Sequence, residues 1–344
     1  MANSSVKIAF YGVRPEEQPY LEKRFADVGL SDNVTYHSEI VDSDHIPPKD
    51  DSDAVSVFVD SAVNKAVMDA FPNLKFIAAR STGYDQIDLA EATKRGIIVS
   101  NVPSYGENTV AEFAFGLILS LSRKIYEAAD RIKETGNFNV EGLRGFDLMG
   151  KTIGVIGTGH IGRHAIKMAK GFEMNVVAYD PFPNEKLAKE LGFTYMSLDE
   201  LLSQSDIITI HVPYLKETHH LINEAALAKM KKTALLINTA RGAIVDTDAL
   251  VKALNEKRIA GAGLDVLEEE GAIKDELGFL AHGHPKEDDL RVILEDHALM
   301  KMPNVIVTPH NAFNTDEALM RILDTTVDNI KAWADGKPVN VVKN

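Results

Sequence analysis

The chain contains no cysteine, only one tryptophan, and no apolar run that approaches the length of a membrane span. Without thiols there can be no disulfide, no thiolate catalysis and no zinc or iron–sulfur centre built on cysteine. That usage suits a cytoplasmic protein, so the sequons at Asn3 and Asn33 carry no weight. A bilayer needs about 20 consecutive apolar residues, and none of the runs here comes near that. The opening stretch MANSSVKIAF lacks a basic region followed by a long apolar one, so no signal peptide is read. Basic clusters are missing too. Against 37 Lys and Arg stand 51 Asp and Glu, a formal charge of −14. This argues against a nucleic-acid partner, and it means that an anionic ligand must be drawn in by a local positive site. Short repeats and low-complexity segments are also absent.

What is present is enough apolar material, 45% of 344 residues, for two domains of ordinary size. The most informative stretch is 151–181, KTIGVIGTGHIGRHAIKMAKGFEMNVVAYDP. An apolar run at 153–156 reads as a buried strand. Gly157, Gly159 and Gly162 follow as G-x-G-x-x-G, then Ile161, Ala165, Met168 and Ala169 recur at helical spacing. A second apolar run at 176–179 ends on Asp180. Strand, glycine turn, helix, strand and acid in this order bind a dinucleotide. Gly157 permits the turn, Gly159 removes a side chain where a pyrophosphate approaches, and Gly162 lets the helix lie close to the strand. The unpaired N–H groups of the first helical turn favour an anion. Asp180 is suited to accept the ribose hydroxyls of NAD and to repel the 2′-phosphate of NADP, so the expected cofactor is NAD.

Strands are expected at 6–11, 55–59, 74–79 and 97–99, with a short helix at 62–71. Alternation of strand and helix points to a parallel sheet. This first unit has no glycine fingerprint, so it is not a second nucleotide site. Residues 108–133 read as one long helix that packs along a domain boundary or against another subunit. Further strands fall at 207–212, 234–239, 260–266 and 305–307, and 315–333 reads as an amphipathic helix returning to the first domain. The expected division is 1–102 plus 303–344 as a discontinuous substrate domain, and 103–302 as the NAD-binding domain. Residues 145–152, GFDLMGKT, match the P-loop pattern, but their Lys151-Thr152 opens a strand where a P-loop requires a helix. Residues 268–303 read as a long charged loop, and His282 and His284 within it as an incidental pair; no metal is expected.

In an open parallel sheet, ligands bind beyond the carboxyl ends of the strands. Arg241 follows one such end, Asp265 with Glu268, Glu269 and Glu270 follows a second, and His310 a third. A guanidinium can hold a carboxylate through two parallel bonds and polarise the carbonyl beside it. A histidine can exchange a proton with that carbonyl oxygen, and a neighbouring glutamate would favour its charged form and fix its tautomer. The set suits hydride transfer at a carbon next to a carboxylate, with the choice among the three glutamates left open by position alone.

The blocks TGYDQIDL, NVPSYGENTVAE, GVIGTGHIG, NTARGAIVD, GLDVLEEE and TPHNAF, in this order, resemble the D-isomer-specific 2-hydroxyacid dehydrogenase family. The resemblance implies an α/β fold of two Rossmann-like doubly wound parallel-sheet domains with a cleft between them, and a homodimer. It implies a substrate arginine at Arg241, an acid/base histidine at His310 and Glu270 as its partner. It gives the backbone at Thr82 and Gly83 to the substrate carboxylate, and to the cofactor His160, Ile161, Val212, Pro213, Thr239, Ala240 and Asp265 beside the glycines and Asp180. Within the family the D-lactate dehydrogenases look most similar: they carry a tyrosine matching Tyr105 on the carboxylate and a phenylalanine matching Phe313 beside the substrate methyl. The expected reaction is NADH plus pyruvate to D-lactate. The alternatives are a sibling acting on hydroxyisocaproate, glyoxylate or hydroxypyruvate, and a non-catalytic NADH sensor.

Overall fold

The structure, a computed structural model, describes residues 6–268, Glu270 and 287–342. The chain divides into two units, Met1–Tyr105 with Thr315–Asn344, and Gly106–Asn314. Among the described residues no helix is long and apolar enough to cross a membrane.

The first unit is a five-stranded sheet in the order β2-β1-β3-β4-β5, formed by β1 (Ile8–Phe10), β2 (Val34–Tyr36), β3 (Ala54–Val57), β4 (Phe76–Ala79) and β5 (Ile98–Ser100). Every pairing is parallel. Strands of such a sheet are covered on both faces and read as continuous apolar runs, as IAF and FIAA do. One face carries Val55, Val57, Val67, Met68 and Ile77. The other buries Phe10, Leu21, Phe25 and Phe76 against Leu323, Val327 and Ile330 of the helix Asp316–Ala334. Thr315 caps that helix by accepting the Ala318 N–H.

The second unit is a seven-stranded sheet in the order β12-β11-β10-β9-β6-β7-β8. Its strands are β6 (Thr152–Ile156), β7 (Asn175–Tyr179), β8 (Thr194–Tyr195), β9 (Ile207–Ile210), β10 (Leu235–Asn238), β11 (Gly261–Leu264) and β12 (Val305–Val307). All six pairings are parallel. With Thr152 already in β6, the residues that imitate a P-loop lead into a strand.

Three expectations need correction. The domain crossing expected at 303 falls after Asn314, because β12 pairs in register with β11, Gly263 opposite Ile306. The long helix expected at 108–133 is two, Glu107–Ser122 and Ile125–Thr135. Lys124 between them takes a left-handed φ of 52°, and the Ser122 carbonyl accepts the N–H of Phe146 at 2.9 Å, which caps the first helix from outside. That first helix lies on the seven-stranded sheet, burying Ala111, Ala114, Leu117 and Ile118 with Ile153, Val155 and Ile237. The charged tract at 268–303 contains the helix Glu287–Lys301; His282 and His284 lie outside the described residues.

Trp333, the one tryptophan, stacks on Phe76 at 4.9 Å, so intrinsic fluorescence reports on the five-stranded unit. Phe76→Ala removes a fully buried ring and should cost about 3–5 kcal/mol. Urea unfolding followed by tryptophan emission measures it as a lowered midpoint.

Candidate active site

From β6 the chain proceeds to β7 and β8 on one side of the sheet and to β9 through β12 on the other. The switch point therefore lies between β6 and β9, and the loops leaving these two strands part there, which opens a ligand crevice. Gly157 follows β6 with φ 93°, and a Cβ on it would stand 2.6 Å from the His211 carbonyl oxygen. A Cβ on Gly162 would fall 2.0 Å from the Gly157 oxygen, whereas one on Gly159 would meet nothing within 4 Å. The turn is thus closed toward the protein and open where a ligand approaches. The helix His160–Gly171 starts at that opening. Its first residue, His160, is exposed, with Nδ1 4.0 Å from Glu107, and Ile161 packs on the core. Val212 and Pro213 leave β9 beside the turn.

Asp180 directly follows β7 and accepts the Thr158 N–H at 2.8 Å. Past β10 the Thr239 Oγ1 is buried with no hydrogen-bond partner among the described residues, while Ala240 donates its N–H to Asn238 at 3.0 Å. An open glycine cradle at a helix N-terminus, an acid at the next strand end and an orphaned buried hydroxyl together fit NAD.

The remaining groups follow three adjacent strands. Neighbouring strands lie about 4.8 Å apart, so the ends of β10, β11 and β12 fall within about 10 Å. Arg241 follows β10 and is half-buried; its Nη1 donates to the Ala240 carbonyl at 2.8 Å. Gly242 is the only residue type that fits next, since a Cβ there would meet the Leu267 carbonyl oxygen at 1.9 Å. This close approach sets the Arg241 turn directly against the segment leaving β11.

That segment carries Glu268 and Glu270, and the two point to different partners. Glu268 accepts from Thr247 Oγ1 at 2.8 Å and lies 2.6 Å from His220 Nε2. Glu270 Oε2 lies 2.8 Å from His310 Nδ1, and its Oε1 accepts the Leu267 N–H at 3.2 Å. Nothing in the sequence signals the His220–Glu268 contact, because loop conformation alone brings those residues together.

His310 takes φ 51°, an unfavourable region for a residue with a Cβ. Asp265 holds it there. Its carbonyl accepts the His310 N–H at 2.8 Å. Its carboxylate accepts Thr308 Oγ1 at 2.5 Å, the Asn311 N–H at 2.9 Å and the Ala312 N–H at 2.8 Å. Burial pushes the Asp265 carboxyl above its ordinary range, and these same hydrogen bonds oppose the shift. The side chain expected to face the cofactor thus spends its carboxylate on the histidine loop. Phe313, at the end of that loop, is 9% exposed.

Thr82, Gly83 and Tyr105 belong to the five-stranded unit. Thr82 and Gly83 follow β4, where Thr82 Oγ1 donates to the Val102 carbonyl at 2.9 Å and Ser81 Oγ to the Gly83 carbonyl at 2.6 Å.

Residues 115–312 match the family described as D-isomer specific 2-hydroxyacid dehydrogenase, NAD binding domain. The chain is 42% identical over 302 residues to 2-hydroxyacid dehydrogenase A of Aspergillus oryzae, covering 87% of this chain and 83% of that one. It is 44% identical over 294 residues to a glyoxylate reductase of Thermofilum pendens, covering 83% and 80%. Among solved structures, D-lactate dehydrogenase from Aquifex aeolicus, complexed with NAD and lactic acid, superposes with a TM-score of 0.83 at 38% identity over 96% of each chain.

His211, beside the switch point, contacts Thr209 Oγ1 at 3.0 Å, and burial pushes its pKa from 6.5 down to about 4. Between those values the unfolded chain binds a proton that the folded chain resists. Its contribution to stability is therefore complete above pH 6.5 and is lost as pH falls toward 4. Thermal unfolding at pH 7 and at pH 4.5 should show a smaller drop in Tm for His211→Gln than for the wild type; equal drops would contradict this account.

Proposed function

The chain belongs to the D-isomer specific 2-hydroxyacid dehydrogenase family, and we propose that within it this protein is a D-lactate dehydrogenase, reducing pyruvate with NADH and a proton to D-lactate and NAD. The observation that carries the reading is the His310–Glu270 pair at 2.8 Å, on the strand end next but one to that of Arg241. When bound, NADH supplies hydride to the carbonyl carbon of the keto acid.

The side chains have separable tasks. A carboxylate only accepts hydrogen bonds, so Nδ1 of His310 carries the proton shared with Glu270, and Nε2 is the nitrogen that gives a proton to the carbonyl oxygen. In the reverse direction Nε2 takes that proton back. Arg241 binds the substrate carboxylate and draws charge from the adjacent carbonyl. The choice of pyruvate rests on the resemblance at Tyr105 and Phe313. The likeness to a glyoxylate reductase supports a second reading, a shorter or differently substituted keto acid.

Loss of NADH absorbance with a panel of 2-keto acids of growing side chain separates these, run beside NADPH. Pyruvate should be turned over best, and no turnover with any keto acid would end the enzymatic reading in favour of an NADH-sensing protein. His310→Ala should lower kcat by about 10²- to 10⁴-fold with NADH affinity unchanged. Arg241→Ala should raise KM for the keto acid by about ten- to a hundredfold.

The reading includes a homodimer. Within residues 125–140, Ile125, Tyr126, Phe138 and Val140 are 53%, 60%, 87% and 81% exposed, and exposed apolar side chains of this size are what a second copy would cover. Light scattering should give twice the chain mass for the wild type and a monomer for Phe138→Asp combined with Val140→Asp.

A further inference from the structure

Asp180 has little acceptor capacity to spare. Its Oδ2 accepts both the N–H and the hydroxyl of Thr158 at 2.8 Å, and Oδ1 accepts the Phe182 N–H at 2.9 Å. A carboxylate offers about four lone-pair sites, so the one that remains is on Oδ1. The Thr158 hydroxyl has a single proton, and Asp180 receives it. Its contact with the Tyr195 hydroxyl, also 2.8 Å, must then run the other way, with Tyr195 donating. The sense of that bond is fixed by the carboxylate at the end of the chain. Thr158 is 4% exposed, and Arg163 Nε donates to its carbonyl at 3.2 Å. The Tyr195 ring meets Phe193 edge-on at 5.0 Å.

We propose that this directed chain, Tyr195 to Thr158 to Asp180, sets the preference for NADH over NADPH, with Tyr195 and Thr158 as positioning residues. A carboxylate free to turn about its side-chain bonds would swing away from a 2′-phosphate. One held through Oδ2 keeps its negative charge and its one open lone pair toward the ribose. A 2′-hydroxyl donates into that lone pair, whereas a 2′-phosphate brings only like charge and acceptors. The inference rests on the cofactor half of the function proposed above.

The test is fluorescence titration of NADH and NADPH, without keto acid, on the wild type, Tyr195→Phe, Thr158→Val and Thr158→Ser. Tyr195→Phe keeps the ring against Phe193 and deletes only the donor. It should lower the NADH-over-NADPH affinity ratio by about fivefold, the size of one hydrogen bond in such a network. Thr158→Val should lower it further, and Thr158→Ser, which restores the hydroxyl, should keep it. Both cofactors weakened equally in Tyr195→Phe and Thr158→Val, with the ratio unmoved, would overturn the proposal, since the chain would then only support the loop. A wild type that binds NADPH as tightly as NADH would overturn it as well. Because the readout is binding, absence of keto-acid turnover sinks the substrate assignment and not this one.

Discussion

Strands that run in one direction end on one edge. In the seven-stranded unit every pairing is parallel, so the loops after all seven strands emerge together. A hydrogen-bonded register holds neighbouring strand ends about 4.8 Å apart, which is what brings residues far apart in sequence within reach of one another. The cost of this arrangement is that each crossover must travel back across a face of the sheet, and helices do so on both sides. The glycine turn after β6 and the histidine loop after β12 are two products of the same constraint. The strand order places the first at the switch point and the second at the sheet edge.

The edge is held rigid by local strain and its compensation. His310 sits at φ 51°, a conformation costing on the order of 1 kcal/mol or more. Four hydrogen bonds to Asp265, one to its carbonyl and three to its carboxylate, over-determine the loop. Burying a carboxyl at 1% exposure is itself unfavourable unless its lone pairs are filled. Two unfavourable features thus stabilise one another: the acid needs donors, and the loop needs anchors. The histidine ring faces Glu270 from a backbone that has little freedom to turn away.

The parts visible in the sequence were those fixed by short-range rules. Residues 151–181 declare themselves because strand, turn and helix are contiguous, and the glycines answer to sterics within one loop. Strand ends carrying Arg241 and His310 are visible for a similar reason, since buried parallel strands read as unbroken apolar runs. What depends on distant pairing is hidden. The apolar run at 305–307 is equally compatible with either sheet, and only its register with β11 assigns it to the seven-stranded unit. The helix break at Lys124 has no proline or glycine to mark it; it depends on the Phe146 N–H from another segment. Glu268 and Glu270 are indistinguishable by residue type, and only the loop fold turns one to His220 and the other to His310. Asp265 was visible as an acid at a strand end, but its partners lie more than forty positions further along the chain.

These contacts also bear on how an acidic chain accepts anionic ligands. At a net charge of −14, long-range attraction for an anion is absent, so the local field has to be favourable. Among the described residues, the carboxylates that follow β11 are occupied by donors of the protein: Asp265 by the histidine loop, Glu268 by Thr247 and Glu270 by the Leu267 N–H. A carboxylate that accepts several hydrogen bonds has its charge partly met by aligned dipoles, and it presents few open lone pairs to an incoming phosphate or carboxylate. Meanwhile the open side of the glycine turn presents a helix N-terminus, and the end of β10 presents a guanidinium. The edge is thus locally suited to anions although the chain as a whole repels them, and the difference comes from where the acids have spent their acceptors.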